Sequence, residues 1–219
     1  MRSVWLRPRR TAKEEPPLTL ARIVEAAVAL LDEEGIDRLT MRRLADRLGI
    51  VAPSLYWHVD TKDDVIDLAV DAIFGEAPPG TPKASGWRAN VTEVLTAWRA
   101  ALLAHPWAAA VPARRRPTIG PNFLAWMEIL QSTLASAGFT GDRLAAATWA
   151  LYNHVFGAAA SQTALHVTDE ERRAGQELLR ADGRYPTLAA NGYFYDDDWD
   201  GSYATGLRYL LDGLEAQLD

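Results

Sequence analysis

The stretch from Thr40 to Lys62, TMRRLADRLGIVAPSLYWHVDTK, constrains this chain more than any other. It reads as two short helices joined by a tight turn. Thr40 suits an N-cap, because its hydroxyl can accept from the free backbone N–H groups of a first helical turn. Leu44 and Leu48 are four apart and share one face, and Ala45 is small where a second helix must come close. Gly49 supplies the positive φ of a sharp turn, and Pro53 suits the first turn of the next helix, where its missing N–H has no partner to lose. Leu55 then returns to the core. Alanine, glycine four later and leucine six after that is the spacing of a helix-turn-helix, whose second helix offers its outer face to the DNA major groove.

A DNA-binding reading has to survive a net charge of −6. The charge is unevenly spread: residues 1–62 carry 11 basic and 9 acidic residues, and the remainder carries 12 basic and 20 acidic. The basic excess sits with the helix-turn-helix, and phosphate affinity needs a local basic face rather than a basic protein. The absence of cysteine removes disulfides, thiolate catalysis and cysteine-based zinc sites, and fits a reducing cytoplasm. No uninterrupted apolar run approaches the roughly 20 residues of a membrane span. The basic N-terminus is not followed by an apolar segment, so no secretory signal is expected.

Residues 1–17, with Arg2, Arg7, Arg9, Arg10 and Lys13 ahead of a Pro-Pro pair, read as a flexible arm, either solvated or touching DNA. Thr19 begins a helix with an apolar stripe from Leu20 to Leu31, ended by Gly35. Asp60 or Thr61 caps a helix running to about Gly75. The Pro- and Gly-rich segment from Ala77 to Gly86 reads as a linker. Helical patterns then recur: Val91 to Leu102, a short Trp107–Val111 piece after His105-Pro106, Phe123 to Ala137, Asp142 to about Leu165, Thr168 to Ala181, and about Asp200 to Leu218, with 182–198 irregular. No strand pattern or internal repeat appears. The expected fold is all-α, with a helix-turn-helix domain over 18–76 (motif 40–59) joined by a fourth helix to a C-terminal helical domain over 84–219.

Residues 18–75 resemble the DNA-binding domain of the tetracycline-repressor (TetR) family, most specifically in Leu48-Gly49-Ile50 through Leu55-Tyr56-Trp57-His58-Val59 and Lys62. Gly206-Leu207 and the tail from Gly213 to Leu218 are similar to that family's final helix, with weaker similarity at Arg116-Pro117-Thr118 and Gly138-Phe139. The resemblance implies a homodimeric, ligand-responsive transcriptional regulator, usually a repressor, that binds a palindromic double-stranded operator. Carried over residue by residue, it makes Arg42 a base- and phosphate-reading arginine, whose guanidinium fork suits guanine. It makes Pro53 and Ser54 base-facing, Tyr56 and His58 contacts to backbone or thymine methyls, and Lys62 a phosphate anchor at a helix N-terminus. Ala52 and Met41 stand where tetracycline-binding members have polar base readers, so an operator of that type is not expected. Trp57 joins the DNA-facing set by the resemblance, while its size alone favours the core. Arg43 and Arg47 read as a solvated or phosphate-facing stripe.

No Gly-rich phosphate loop, clustered metal ligands or nucleophilic triad is present, so no enzyme and no cofactor is expected. The Tyr195–Asp200 acidic run lacks the glycine and distal glutamate of a calcium loop, and reads as a loop that caps the last helix. Tetracycline-binding members hold a metal–drug chelate with a histidine and a glutamate; the corresponding places here, 111–113 and Ser161, supply neither. Large rings set among alanines, namely Trp98, Trp107, Phe123, Trp126, Trp149 and Tyr152, frame a candidate effector pocket, with Asn153 and His154 as orienting polar groups. The expected effector is small and apolar or aromatic. Leu207, Leu210, Leu211, Leu214 and Leu218, with Gly206 and Gly213, form a stripe suited to a dimer contact or to packing within the chain. Two rival readings remain at this stage: a helical small-molecule-binding or catalytic protein whose helix-turn-helix is structural, and a regulator that activates or needs no ligand.

Overall fold

The computed structural model describes residues 17–76, 86–111, 119–165, 167–192 and 198–218. Residues 1–16 of the expected basic arm, 77–85 of the expected linker, 112–118, His166, 193–197 and Asp219 lie outside the described residues. Within these bounds the chain is all helical.

The N-terminal head contains α1 (Leu20–Glu34), α2 (Met41–Leu48), a six-residue 3₁₀ turn (Ala52–Trp57) and α3 (Lys62–Glu76). Thr19 Oγ1 accepts from Arg22 N at 3.3 Å and starts α1. Gly35, at φ 77°, ends it while donating its N–H to Leu31 O at 2.8 Å. Thr61 caps α3 reciprocally: its hydroxyl accepts from Asp64 N at 3.1 Å, and the Asp64 carboxylate accepts from Thr61 N at 2.8 Å. Ile23, Leu31, Leu39, Leu44, Leu55 and Val65 meet in the head's core. Full burial of one such leucine gains about 1.5–3 kcal/mol, which holds the tighter 3₁₀ turn against α2.

The C-terminal part consists of α4 (Trp87–Ala104), α5 (Pro106–Ala109), α6 (Pro121–Ser136), α7 (Gly141–Ala164), α8 (Asp169–Ala181), α9 (Pro186–Asn191) and α10 (Trp199–Glu215). α4, α6 and α7 pack on one another, α5 and α10 pack on α7, and α3 reaches from the head onto α4 and α6. Thr168 forms a full capping box with Glu171 at the start of α8. α8 and α9 pack chiefly on each other, and neither has a buried residue.

Besides the 3₁₀ turn that stands where the motif's second helix was expected, one element departs from expectation. Residues 186–191, expected to be irregular, form α9, set by Pro186 in its first turn and by left-handed Gly192 at its end. Six residues carry too little apolar periodicity to announce a helix. The last helix begins with Asp198 Oδ1 accepting from Gly201 N at 2.9 Å. No helix among the described residues is long and apolar enough to cross a membrane.

Candidate nucleic-acid interface and effector site

α2 ends as its sequence requires. Gly49 adopts the left-handed conformation (φ 70°, ψ 23°), and Ile50 N donates back to Ala45 O at 3.0 Å. Val51 is extended, so the chain turns sharply before Ala52. The 3₁₀ turn then decides which side chains face out. With three residues per turn, Ala52 and Leu55 eclipse one another. Leu55 is fully buried and Ala52 packs on the same core. Tyr56 and Trp57, one and two positions on, are rotated away. Tyr56 is 51% exposed and Trp57 89%. Trp57 is therefore not a core residue, contrary to what its size suggests. Pro53 and His58 are also exposed, Ser54 is half-buried, and Val59 turns back into the core.

The cations of the motif divide into two kinds. Arg43 pairs with Glu34 of α1. Arg47 grips Glu33 with two hydrogen bonds of 2.6 Å, and the Arg47 guanidinium lowers the pKa of that carboxyl. Lys62 sits at the first position of α3, where its Nζ donates to Ile36 O at 3.2 Å. Arg42 is exposed, with no hydrogen-bond or ion-pair partner among the described residues. Arg42, Pro53, Tyr56, Trp57 and His58 are thus all exposed, while Arg43 and Arg47 are committed to α1.

The aromatic residues of the C-terminal helices converge only in part. Trp98 is fully buried, and its ring centroid lies 5.8 Å from Phe74, 5.5 Å from Phe123, 5.8 Å from Tyr152 and 5.5 Å from Phe156, all edge-on. Trp126 closes the group, and its Nε1 donates to Phe74 O at 2.9 Å. Trp98 Nε1, by contrast, finds no partner among the described residues. Phe156, one of the aromatic residues in which this part of the chain is rich, joins the cluster, and so does Phe74, which the sequence did not single out. Trp107 points elsewhere and donates to Asp32 Oδ1 at 2.7 Å. Trp149 is more than half exposed and Asn153 is exposed, so neither is enclosed with Trp98. His154 stacks on Tyr203 at 4.9 Å and lies 3.1 Å from its carbonyl, facing α10 rather than the ring cluster. Burial lowers the His154 pKa.

Two of the leucines proposed for a dimer contact, Leu207 and Leu211, are 2% and 4% exposed within the single chain. They belong to that chain's own core, and α10 packs on α7. Leu210, Leu214 and Leu218 keep partial exposure, beside outward-facing Tyr209. Gly206 serves the packing within the chain as well: a Cβ there would lie 2.9 Å from His154 Cε1.

The head is tied to the C-terminal helices by buried polar contacts that span long sequence separations. Asp71 of α3 accepts from Phe123 N at 2.9 Å and from Asn122 Nδ2 at 3.0 Å, so it caps the N-terminus of α6 from another helix. Gly120 has no room for a side chain, since a Cβ would meet the Asp71 carboxylate at 2.2 Å. No sequence signal pairs Asp71 with residues about fifty positions away.

Comparison with known proteins accords with this arrangement. A family profile described as "Bacterial regulatory proteins, tetR family" matches residues 23–69, and one described as "Tetracyclin repressor-like, C-terminal domain" matches residues 78–218. The chain is 44% identical over 217 residues to an HTH-type transcriptional regulator of Saccharopolyspora erythraea, covering 98% of this chain and 92% of that protein. It is 35% identical over 230 residues to the HTH-type transcriptional repressor DrrR1 of Streptomyces coeruleorubidus, covering 97% and 83%. Among solved structures, the TetR family protein ActR of Streptomyces coelicolor in complex with (S)-DNPA superposes with a TM-score of 0.81 at 32% identity, covering 93% of this chain and 100% of that one.

Proposed function

The chain belongs to the tetracycline-repressor (TetR) family of DNA-binding transcriptional regulators, and from that premise we propose that it acts in the cytoplasm as a homodimeric repressor, released from a palindromic operator by a small apolar or aromatic ligand. The observation that carries this reading is the outward face of the 3₁₀ turn. An 89% exposed tryptophan beside an exposed tyrosine, histidine and arginine, all backed by a closed apolar core, is a surface built for contact. Arg42 reads bases, the Tyr56–His58 edge meets backbone and thymine methyls, and Lys62 anchors phosphate where the N-terminus of α3 adds positive potential.

The homodimer rests on two further features. α8 and α9 bury nothing in their own protomer, and Trp149 and Tyr209 are exposed on the α7 and α10 helices. A second copy covers both, and two heads then meet half-sites about one helical turn apart. The effector enters next to the Trp98 cluster, where the unpartnered Nε1 offers a donor to a carbonyl or phenolic oxygen in an otherwise apolar setting. Ligand binding favours a dimer whose heads no longer match the half-site spacing, and that difference in affinity is the coupling. DrrR1, by its name, is a repressor, and ActR is solved with a small molecule bound.

The test is binding to the palindromic DNA upstream of the protein's own gene. Arg42→Ala should cost about 1–3 kcal/mol and relax sequence preference, whereas Lys62→Ala should weaken all sequences and lower the salt slope by about 1. Wild-type affinity and salt slope in both variants would refute the assignment. Sedimentation at micromolar concentration should give a species of twice the chain mass.

A further inference from the structure

We propose that His105 positions the reading head on the C-terminal helices only when both of its ring nitrogens are protonated, so that operator binding is proton-linked. The inference rests on the head being the operator-binding surface, but its first test does not.

His105 lies between α4 and α5 and is 8% exposed. Its Nδ1 is 2.8 Å from Asp32 Oδ1, near the end of α1, and its Nε2 is 3.2 Å from Glu76 Oε2, the last residue of α3. One imidazole thus holds the C-terminal ends of both long helices of the head. Ionised carboxylates only accept hydrogen bonds, and a neutral imidazole has a single N–H. Both contacts therefore require the imidazolium, and deprotonation gives one up. Trp107 Nε1 donates to the same Asp32 oxygen and fixes that carboxylate in place. The charged groups facing the ring are Asp32 from α1 and Glu76 from α3. Glu25 lines the same groove farther along α1, and among the described residues that line it His105 is the one basic side chain. The groove, about 700 Å³ between α1 and Ala72, leads from solvent to the ring.

Burial disfavours the charged ring, but the hydrogen bonds that it donates to Asp32 and Glu76 outweigh this and the His105 pKa is raised. A raised pKa in the folded state means that the contact is complete below the ordinary histidine value and is lost as pH climbs through the raised one. The head is held below the ordinary histidine value and loosens as pH climbs past the raised one.

The first test is NMR of the imidazole nitrogens in the free protein as pH is raised. Both nitrogens of His105 are expected to stay protonated to a higher pH than in an ordinary histidine, and a single neutral tautomer at or below the ordinary histidine value would overturn the proposal whatever the DNA result. The second is operator affinity from pH 6 to 9 at fixed ionic strength. Wild-type affinity should fall about tenfold, in line with one charge-assisted hydrogen bond. His58 is a second histidine, on the reading face, so the decisive variant is Glu76→Gln, which leaves His58 alone. A carboxamide can donate to Nε2 of the neutral ring and accept from the charged one, so Glu76→Gln should keep the low-pH affinity and lose the alkaline fall. His105→Gln should bind more weakly and without the alkaline fall. An identical alkaline fall in wild type and Glu76→Gln would overturn the linkage. Failure of the wild type to bind the duplex at any pH, with His105 doubly protonated, would instead strike the operator reading.

Discussion

Trp98→Ala is expected to destabilise the protein by about 3–5 kcal/mol, the range for removing a large aromatic from a packed core. The ring is fully buried and makes edge-on contacts with Phe74, Phe123, Tyr152 and Phe156. Those partners come from α3, α6 and α7, so the void opens where the head's last helix meets the C-terminal helices. Both parts should lose stability together, as one cooperative transition. Trp98→Phe is expected to behave differently. It gives up part of the ring contacts, but it also removes an indole N–H with no partner among the described residues, whose burial costs about 1–3 kcal/mol. The two effects should leave it within about 1 kcal/mol of the wild type. Urea unfolding, with the midpoint compared at constant slope, measures both. An alanine variant within about 1 kcal/mol of the wild type would mean that this ring is not part of the packed core.

Asp71→Ala is the second large effect, at about 2–4 kcal/mol. Its carboxylate replaces the missing side-chain cap of α6, where Gly120 has none to offer. Alanine leaves the buried Phe123 N–H without its acceptor and leaves the Asn122 amide only the backbone oxygen of residue 71. The negative charge also sits at the positive end of the α6 dipole, so Asp71→Asn should recover only part of the loss. Thermal unfolding ranks the three proteins. Because α3 carries the head, Asp71→Ala should also weaken the response of operator binding to a ligand more than it weakens binding itself. Asn and Ala of equal stability to the wild type would exclude the cap.

Local signals carried most of the fold. Thr19, Gly35, Thr40, Gly49, Pro53 and Thr168 each act within four residues of their position, so their roles are readable without tertiary information. Orientation within the reading turn was less legible. Whether Trp57 faces core or solvent depends on three residues per turn instead of 3.6, and the sequence does not announce that choice. The contacts between head and C-terminal helices were not legible at all. Asp32, Glu76 and His105 meet across separations of 73 and 29 residues, and each alone is an ordinary polar side chain. The candidate pocket shows both sides. Aromatic composition pointed to Trp98, Phe123, Trp126 and Tyr152, which do converge. It gave no means of seeing that His154 would turn to Tyr203, that Trp107 would turn to Asp32, or that Phe74 would arrive from the head. The leucine stripe of α10 was real as a pattern, but a stripe does not say whose helix it meets, and Leu207 and Leu211 meet their own chain's α7.

The most direct test of the reading face is operator affinity of the Tyr56→Ala, Trp57→Ala double variant at fixed salt, with its unfolding midpoint measured in parallel. Both side chains lie mostly outside the core, so the midpoint should stay at the wild-type value while binding weakens by more than about tenfold. A folded double variant that binds the operator with wild-type affinity would contradict the assignment of this surface to DNA.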